Sequence, residues 1–424
     1  MTVSFKTFGC RLNRAETARF EAEFAAAGVT RVAFGAPAEI VILHTCAITQ
    51  SAEHECLKLA RALKKKNPRA LLVFVGCAVE AAPPEALRVL PVDLIIPRDK
   101  KDGLVALVLS RVGIAPAATP VVPARSTQRA SLKIQDGCDF FCTYCIVPHT
   151  RGEPRSRPFA ECLHEAEAFI AAGFQEIVVT GCNIACYRDG GKRLVDLLAA
   201  LAGLSGLGRL RLGSVEPGTV EREIVALMAA TPRLCRFLHL PIQSGDNGVL
   251  ARMGRRYTVE DIAHTLGDTL RRMPNLGLGA DIITGFPGET AEAFAQTRAL
   301  IDAFPFSNVH VFPYSERPGT PASTYDRSVP DAERKRRAVD LIQLKQVKRA
   351  RFAQAFLGRP VEVLVERFDA SNLAHGWTGE YLDCQIADVP RTAKARLVTC
   401  VPHAVKKESL VARLTEARTQ TGRG

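Results

Sequence analysis

The sequence predicts an α/β multidomain chain: an N-terminal parallel α/β sheet domain, a central partial (β/α)6 barrel and a small C-terminal antiparallel β-barrel. Strand and helix patterns alternate over the first quarter and again through the centre, as parallel sheets require, because each crossover brings a helix that covers the sheet. A proline-bearing stretch with little periodicity, GIAPAATPVVPARSTQR, separates the two blocks. Beyond residue 356 mainly short strand patterns remain. The expected boundaries are 1–112, a linker at 113–129, 130–356 and 357–424.

In the first block, VSFKTF reads as a strand and ETARFEAEFAAAG as a helix, with Phe20, Phe24 and Ala27 on one face and Gly28 as its stop. EIVILHT is a second strand. The helix after it carries Cys56, Ala60 and Leu63, and ALLVFVG is a third strand. In the central block six runs read as strands: SLKIQ, EIVVTG, RLRLGS, RFLHLP, LGADIITGF and NVHVFPY. Helical patterns separate most of them. A barrel and an open doubly wound sheet both fit, and both place chemistry at the C-terminal ends of the strands. A basic helix, DAERKRRAVDLIQLKQVKRARFAQAF, leads to the strands PVEVLVE, GEYLDCQIA, ARLVTCV and SLVARL.

The 424 residues carry a formal charge of +12, which suggests a polyanionic partner. From Asp331 to Gly424 there are 18 Lys and Arg against 11 Asp and Glu, so the C-terminal end is the expected contact. No run of eighteen apolar residues suggests a membrane span, and MTVSFKTFGC has no secretory pattern. A cytoplasmic location is expected. In a reducing compartment thirteen cysteines are not a disulfide framework, so several are expected to be metal ligands, reactive thiols or buried packing residues.

In GCDFFCTYC, Cys138, Cys142 and Cys145 are spaced C-x3-C-x2-C. Zinc usually takes four ligands, commonly from paired C-x2-C units, and no second pair follows. His149 is the nearest candidate for a fourth ligand, at a spacing that fits no usual zinc pattern. A [4Fe–4S] cluster held by three thiolates fits better, with one iron open to a small molecule. Cys10, Cys46 and Cys77 each follow an apolar strand, in FKTFGCRLN, VILHTCAIT and VFVGCAVE. Buried cysteines are common as small hydrophobes. Three consecutive strands ending alike point instead to a second three-cysteine cluster at one sheet edge.

The motif with Tyr144 before its last cysteine, directly after the first strand of a β/α barrel, resembles the radical S-adenosylmethionine (SAM) superfamily. TFGCRLNRAE, HTCAIT, VGCAVE, SLKIQDGCDFFCTYCIVP, TRGEPRSRP, HLPIQSGDNGVLARMGRRYT, DIITGFPGET and VFPYSERPGTPA resemble the methylthiotransferases over nearly the whole chain. TFGC, SLKIQDGC and CIVP are similar to the branch acting on N6-threonylcarbamoyladenosine of tRNA. The terminal β-barrel resembles a TRAM domain, an RNA-binding module.

The resemblance implies two [4Fe–4S] clusters and SAM. One SAM methylates sulfur held at the N-terminal cluster. Another is cleaved reductively at the Cys138/Cys142/Cys145 cluster, and the resulting radical removes hydrogen from C2 of the adenine, where CH3–S takes its place. It also implies a tRNA anticodon stem-loop as partner, a reducing carrier such as flavodoxin, and no membrane. Tyr144, Gly181, Ser214, Glu216, Gln243 and Ser244 are the expected SAM contacts, Gly181 because it lacks a side chain. Arg151 and Arg157 would pair with carboxylate or RNA phosphate or be solvated surface charges, and Trp377 and Tyr381 would stack on bases, with a core role the alternative for Trp377. His44 and Glu80 depart from the family's usual asparagine and glutamine, which bears on hydrogen bonding around the N-terminal cluster. Cys182 and Cys186 are expected to be nonligands, and Cys56, Cys162, Cys235, Cys384 and Cys400 packing residues. The alternative functions are methylthiolation of isopentenyladenosine in tRNA or of a ribosomal-protein aspartate. An alternative of another class is a noncatalytic, metal-containing RNA-binding protein.

Overall fold

The computed structural model describes residues 1–116 and 128–417. Most of the expected linker, 117–127, lies outside the described residues. The first sheet is parallel throughout, in the order Thr30–Arg31, Thr2–Thr7, Ile40–Thr45, Leu71–Gly76 and Leu94–Ile96. Ile40–Thr45 is buried at every position, as a central strand covered on both faces must be. On one face Val3, Phe5, Ile42 and Val73 meet Phe20 and Phe24 of helix Arg11–Ala26. On the other, Val41, Leu43 and Phe74 meet Cys56, Ala60 and Leu63 of helix Gln50–Lys66. Thr49 caps that helix by accepting from the Ala52 N–H at 3.2 Å, and Lys64, Lys65 and Lys66 sit at its carbonyl end, where positive charge is favoured.

The six central strands are Arg129–Lys133, Glu176–Thr180, Arg209–Leu212, Phe237–Gln243, Gly277–Thr284 and Phe306–Pro313. They form two parallel trios, each in sequential order, joined by bridges Leu210↔Leu234 and Ser214↔His239. A doubly wound sheet reverses its strand order, and this one does not, so the partial barrel is the architecture. Leu238, Leu240 and Ile242 pack in the main core, as do Leu278, Ala280 and Ile282, and Val309 and Val311. Alternation therefore turns His239, Asp281, His310 and Phe312 toward the barrel interior.

Helix Asp331–Gln354 packs on the last of these strands and leads into a closed five-strand barrel. The sequence shows four of its strands. Ala374–Thr378 escapes a pattern reading because Gly376 interrupts it, and the structure requires that glycine: a Cβ there would lie 2.0 Å from the Leu364 carbonyl oxygen. All strand pairs are antiparallel except Asp383–Ala387 with Ser409–Ala417.

The small barrel seats on the large one through buried charge. Glu176 lies between Arg209 and Arg211, at 2.6 and 2.7 Å, with all three side chains almost wholly buried. The guanidinium groups donate onward to the carbonyls of Trp377 at 2.8 Å, Thr378 at 2.9 Å and Gly379 at 2.9 Å. Tyr381 stacks between Trp377 and Phe237, with ring centroids 4.7 and 4.9 Å away. Trp377 and Tyr381 are therefore part of the joint between the barrels, not platforms open to RNA bases. In the basic helix Arg334, Arg337 and Arg349 are likewise buried, and Arg337 pairs with Glu289 and Glu333.

Burial alone would raise the Glu176 carboxyl, but Arg209 and Arg211 outweigh it and hold it at about 2. Its contribution is full above the ordinary carboxylate range and is lost as the pH falls toward 2. Glu176→Gln leaves two guanidinium groups buried without their counter-charge. We expect a loss of about 3–5 kcal/mol, seen as a lower midpoint in urea. An unchanged midpoint would show that the carboxylate does not hold the joint.

Candidate active site

The three-cysteine loop leaves the first barrel strand through Gly137. Its φ is +73°, and a Cβ there would lie 2.0 Å from the Glu153 carbonyl oxygen, so the turn admits only glycine. Backbone bonds pin the loop: Cys138 N–H to the Gly152 carbonyl at 3.0 Å and Thr143 N–H to the Met253 carbonyl at 3.0 Å. Burial pushes the free thiols up, Cys138 to about 11 and Cys145 to about 12. A group bound by these thiolates must therefore displace protons.

Arg255, on a loop far along the chain, organises the site. It donates to the Cys142 sulfur at 3.0 Å, the Tyr144 hydroxyl at 3.2 Å and the Tyr257 hydroxyl at 2.8 Å, and it is ion-paired with Glu216. The structure thus brings Tyr144 and Glu216 together beside Cys142. Burial outweighs the attraction of Arg255 and raises the Glu216 carboxyl to about 7, with Asp281 adding repulsion. Ser214 is exposed at the mouth, opposite His239. Gln243 is buried with a φ of +69°. Ser244 lies within hydrogen-bond reach of the Thr297 hydroxyl at 3.3 Å and accepts from the Asp246 N–H at 3.2 Å, so it braces the loop. At Gly181 a Cβ would lie 2.9 Å from the Gln135 carbonyl oxygen, so the missing side chain makes room for the neighbouring strand. Two residues later Asn183 is buried, and neither its amide nitrogen nor its oxygen has a partner. Such a group awaits a ligand or water. Arg255 and Asn183 were not among the expected contacts. TGCN, following a strand, carried a signal for Asn183, whereas nothing local marks one arginine in GRRYT.

Cys10, Cys46 and Cys77 all lie just beyond the same edge of the N-terminal sheet. Cys10 is the N-cap of helix Arg11–Ala26, and Cys77 opens helix Cys77–Ala81. Thr45 pairs with Gly76 in register, so Cys46 and Cys77 emerge side by side. Gly9 has a φ of +84°, and a Cβ there would lie 2.5 Å from the Cys46 sulfur, so the glycine lets the chain pass the thiol. Burial, with smaller contributions from Cys77 and Cys10, raises the Cys46 thiol to about 11.

The two cysteine groups border one another. Cys77 shares a buried cluster with Ala47 and with Ile146, the residue after Cys145. Beneath them Arg151 bridges the domains, donating to Glu16 at 3.2 Å and to Asp136 at 2.9 Å, and Lys133 joins the same two carboxylates at 2.7 and 2.6 Å. Arg151 thus pairs with carboxylates. Arg157 does too, with Glu165. His44 is buried, with Nδ1 2.9 Å from the Thr17 hydroxyl and Nε2 3.4 Å from Glu16. Glu80 accepts from the Arg98 N–H at 2.8 Å. The Cys182 thiol donates to Asp136 at 3.4 Å.

Each trio offers three thiolates and no fourth protein ligand of usual zinc spacing, a donor set that suits an iron–sulfur cluster. The orphaned Asn183 amide fits a further polar ligand beside the barrel loop.

The family model described as the Radical SAM superfamily matches residues 132–301, which makes the central barrel a radical SAM core. The model described as Uncharacterized protein family UPF0004 matches residues 2–97. The threonylcarbamoyladenosine tRNA methylthiotransferase MtaB of Bacillus subtilis (strain 168) is 32% identical over 402 residues, 90% of this chain and 89% of that protein. Its namesake from Thermotoga maritima is 34% identical, covering 90% of each. The tRNA-2-methylthio-N(6)-dimethylallyladenosine synthase of Acidithiobacillus ferrooxidans (strain ATCC 53993 / BNL-5-31) is 33% identical, over 94% of this chain and 97% of its own. The solved radical SAM methyltransferase TsrM from Kitasatospora setae shares the fold, with a TM-score of 0.58 at 15% identity over 76% of each chain. The chain belongs to the radical SAM methylthiotransferase family. Membership brings a [4Fe–4S] cluster and SAM as cofactors. Among the described residues no helix is long and apolar enough to cross a membrane.

Proposed function

We propose that this chain transfers a methylthio group to C2 of N6-threonylcarbamoyladenosine beside the tRNA anticodon. The reading rests on one observation above all: the two three-cysteine groups lie on different domains that meet beside them, with Cys77 and Ile146, the residue after Cys145, in one buried cluster. In this reading Cys138, Cys142 and Cys145 hold the [4Fe–4S] cluster that engages SAM, and Cys10, Cys46 and Cys77 hold a second, which carries the sulfur. Bound there, these groups supply homolytic chemistry able to remove an aromatic hydrogen that no side-chain base could take. Arg255 keeps Cys142, Tyr144 and Glu216 in mutual register. Glu216, Gln243, Ser214 and Asn183 supply polar contacts to SAM, and Ser244 and Gly181 support the loops that bear them. The ion network of Glu16, Arg151, Lys133 and Asp136 fixes one cysteine group against the other. Lys394, Lys406, Lys407 and Arg413 are exposed on the small barrel and offer charge to the phosphates of an anticodon stem-loop. A reducing carrier such as flavodoxin supplies the electron.

The test uses reconstituted protein, SAM, reductant and synthetic anticodon stem-loops, digested to nucleosides for mass spectrometry. The threonylcarbamoyl stem-loop is expected to gain CH3–S in place of hydrogen. Product on the dimethylallyl stem-loop alone would support the second reading, which the 33% identical dimethylallyladenosine synthase favours. Product on neither would reject both.

A further inference from the structure

Inside the barrel, away from the cysteines, lies a group that the radical chemistry does not call for. His239, Asp281 and His310 stand on the fourth, fifth and sixth strands, with one donor atom from each within 4.8 Å of the others. Asp281 Oδ1 is 3.0 Å from His239 Nε2 and 3.1 Å from His310 Nδ1. Burial alone would raise the Asp281 carboxyl, but the two imidazoles outweigh it and hold it well below the usual carboxylate range. The carboxylate fixes both rings. Gly279 completes the seat: a Cβ there would lie 2.4 Å from His239 Nδ1, so only glycine leaves that ring its place.

His310 is the open member, 47% exposed, with Nε2 turned toward the Asn308 amide at 3.4 Å. Next to it Phe312 is also 47% exposed, its ring meeting His310 edge-on at a centroid distance of 6.4 Å. An exposed phenyl ring on an inward position is a stacking surface for a planar base. The cluster lies within electrostatic reach of the reacting end. Asp281 repels Glu216, Glu216 pairs with Arg255, and Arg255 donates to Cys142. A base stacked on Phe312 would lie beside the His310 ring.

We propose that His310, oriented by Asp281 together with His239, receives the carboxylate and hydroxyl of the threonyl group on N6 of the substrate adenosine, while Phe312 stacks on its base. This rests on the substrate reading above and names the residues that select it. A hydrocarbon substituent would shield this polar cluster from water while offering no partner to the half-exposed His310 ring, which costs free energy. A threonyl hydroxyl can donate to the His310 nitrogen that Asp281 leaves over, and the threonyl carboxylate can accept from that nitrogen in the imidazolium form, in which both ring nitrogens are donors. Sites built to hydrogen-bond a substrate group discriminate far more sharply than apolar pockets do. Two imidazoles and a carboxylate also suit a divalent cation. Here each imidazole already uses one nitrogen on the same carboxylate oxygen, which favours the organic ligand.

The experiment is a binding titration of the reconstituted holoenzyme with labelled anticodon stem-loops. One carries the threonylcarbamoyl group and the other its analogue with the carboxylate replaced by carboxamide. The native chain is expected to prefer the carboxylate form roughly 10- to 100-fold, the range for one hydrogen bond to a charged group. In His310→Phe the preference should fall toward unity, and His310→Gln should keep part of it. The carboxamide form serves as each variant's own reference, and iron content and thermal midpoint check that it is loaded and folded. Equal preference in the native chain and His310→Phe would overturn the proposal. So would one equivalent of zinc or manganese that is lost in His310→Phe. Failure of the substrate reading shows separately, as absence of methylthio product on the threonylcarbamoyl stem-loop with the native chain.

Discussion

Cys142→Ala is expected to abolish formation of 5′-deoxyadenosine from SAM, and with it every downstream product. Cys142 is buried at the centre of its loop, and Arg255 reaches its sulfur, the Tyr144 hydroxyl and Glu216 at once. Alanine removes one of three thiolates and leaves a buried guanidinium facing an empty place, so both the ligand set and the positioning of Glu216 fail together. Iron should fall by about four per chain, the complement of one [4Fe–4S] cluster. Cys138→Ala and Cys145→Ala should behave alike. Cys162→Ala is the control: that thiol lies in the barrel core, and its loss should lower stability slightly while SAM cleavage persists. Normal cleavage by any of the three loop variants, reconstituted anaerobically, would remove those cysteines from the site.

The second large effect separates the two cysteine groups. The triple variant Cys10→Ala, Cys46→Ala, Cys77→Ala should still cleave SAM but make no methylthio product, with about four irons lost. Gly9→Ala tests the same point with all thiols present. Its Cβ would fall 2.5 Å from the Cys46 sulfur at a φ of +84°, so either the thiol or the strand end must move. The variant should therefore reproduce the triple alanine phenotype in part. Methylthio product at the native rate from the triple variant would make the three thiols core residues.

Much of the architecture is legible because its causes are local. Strand periodicity shows all six central strands, and their sequential pairing needs only the helices between them. C-x3-C-x2-C is legible as one group because all three cysteines sit in one loop. The strand-end cysteines can be read because a parallel sheet brings its C-terminal ends to one edge by construction. What escapes is what depends on distant partners. Trp377 and Tyr381 have the composition of a nucleic-acid platform, but Phe237 and the Glu176 ion triad claim them for the joint. The basic helix suggests a phosphate track, but three of its arginines turn inward.

The sequence by itself determined the parallel sheet, the barrel strands, the two groups of thiols and the family to which they belong. These follow from the period of apolar residues, from turn chemistry and from the spacing of cysteines within a loop or after a strand. Only the tertiary structure decided which polar side chains share a space. Arg255 meets Cys142 across 113 residues of chain, and Arg151 meets Glu16 across 135. Asp281 meets its two imidazoles on neighbouring strands separated by whole helices. A buried charge is stable only when its counter-charge arrives with it, and the residue that supplies it is set by how the strands pair and close rather than by any neighbour in the chain.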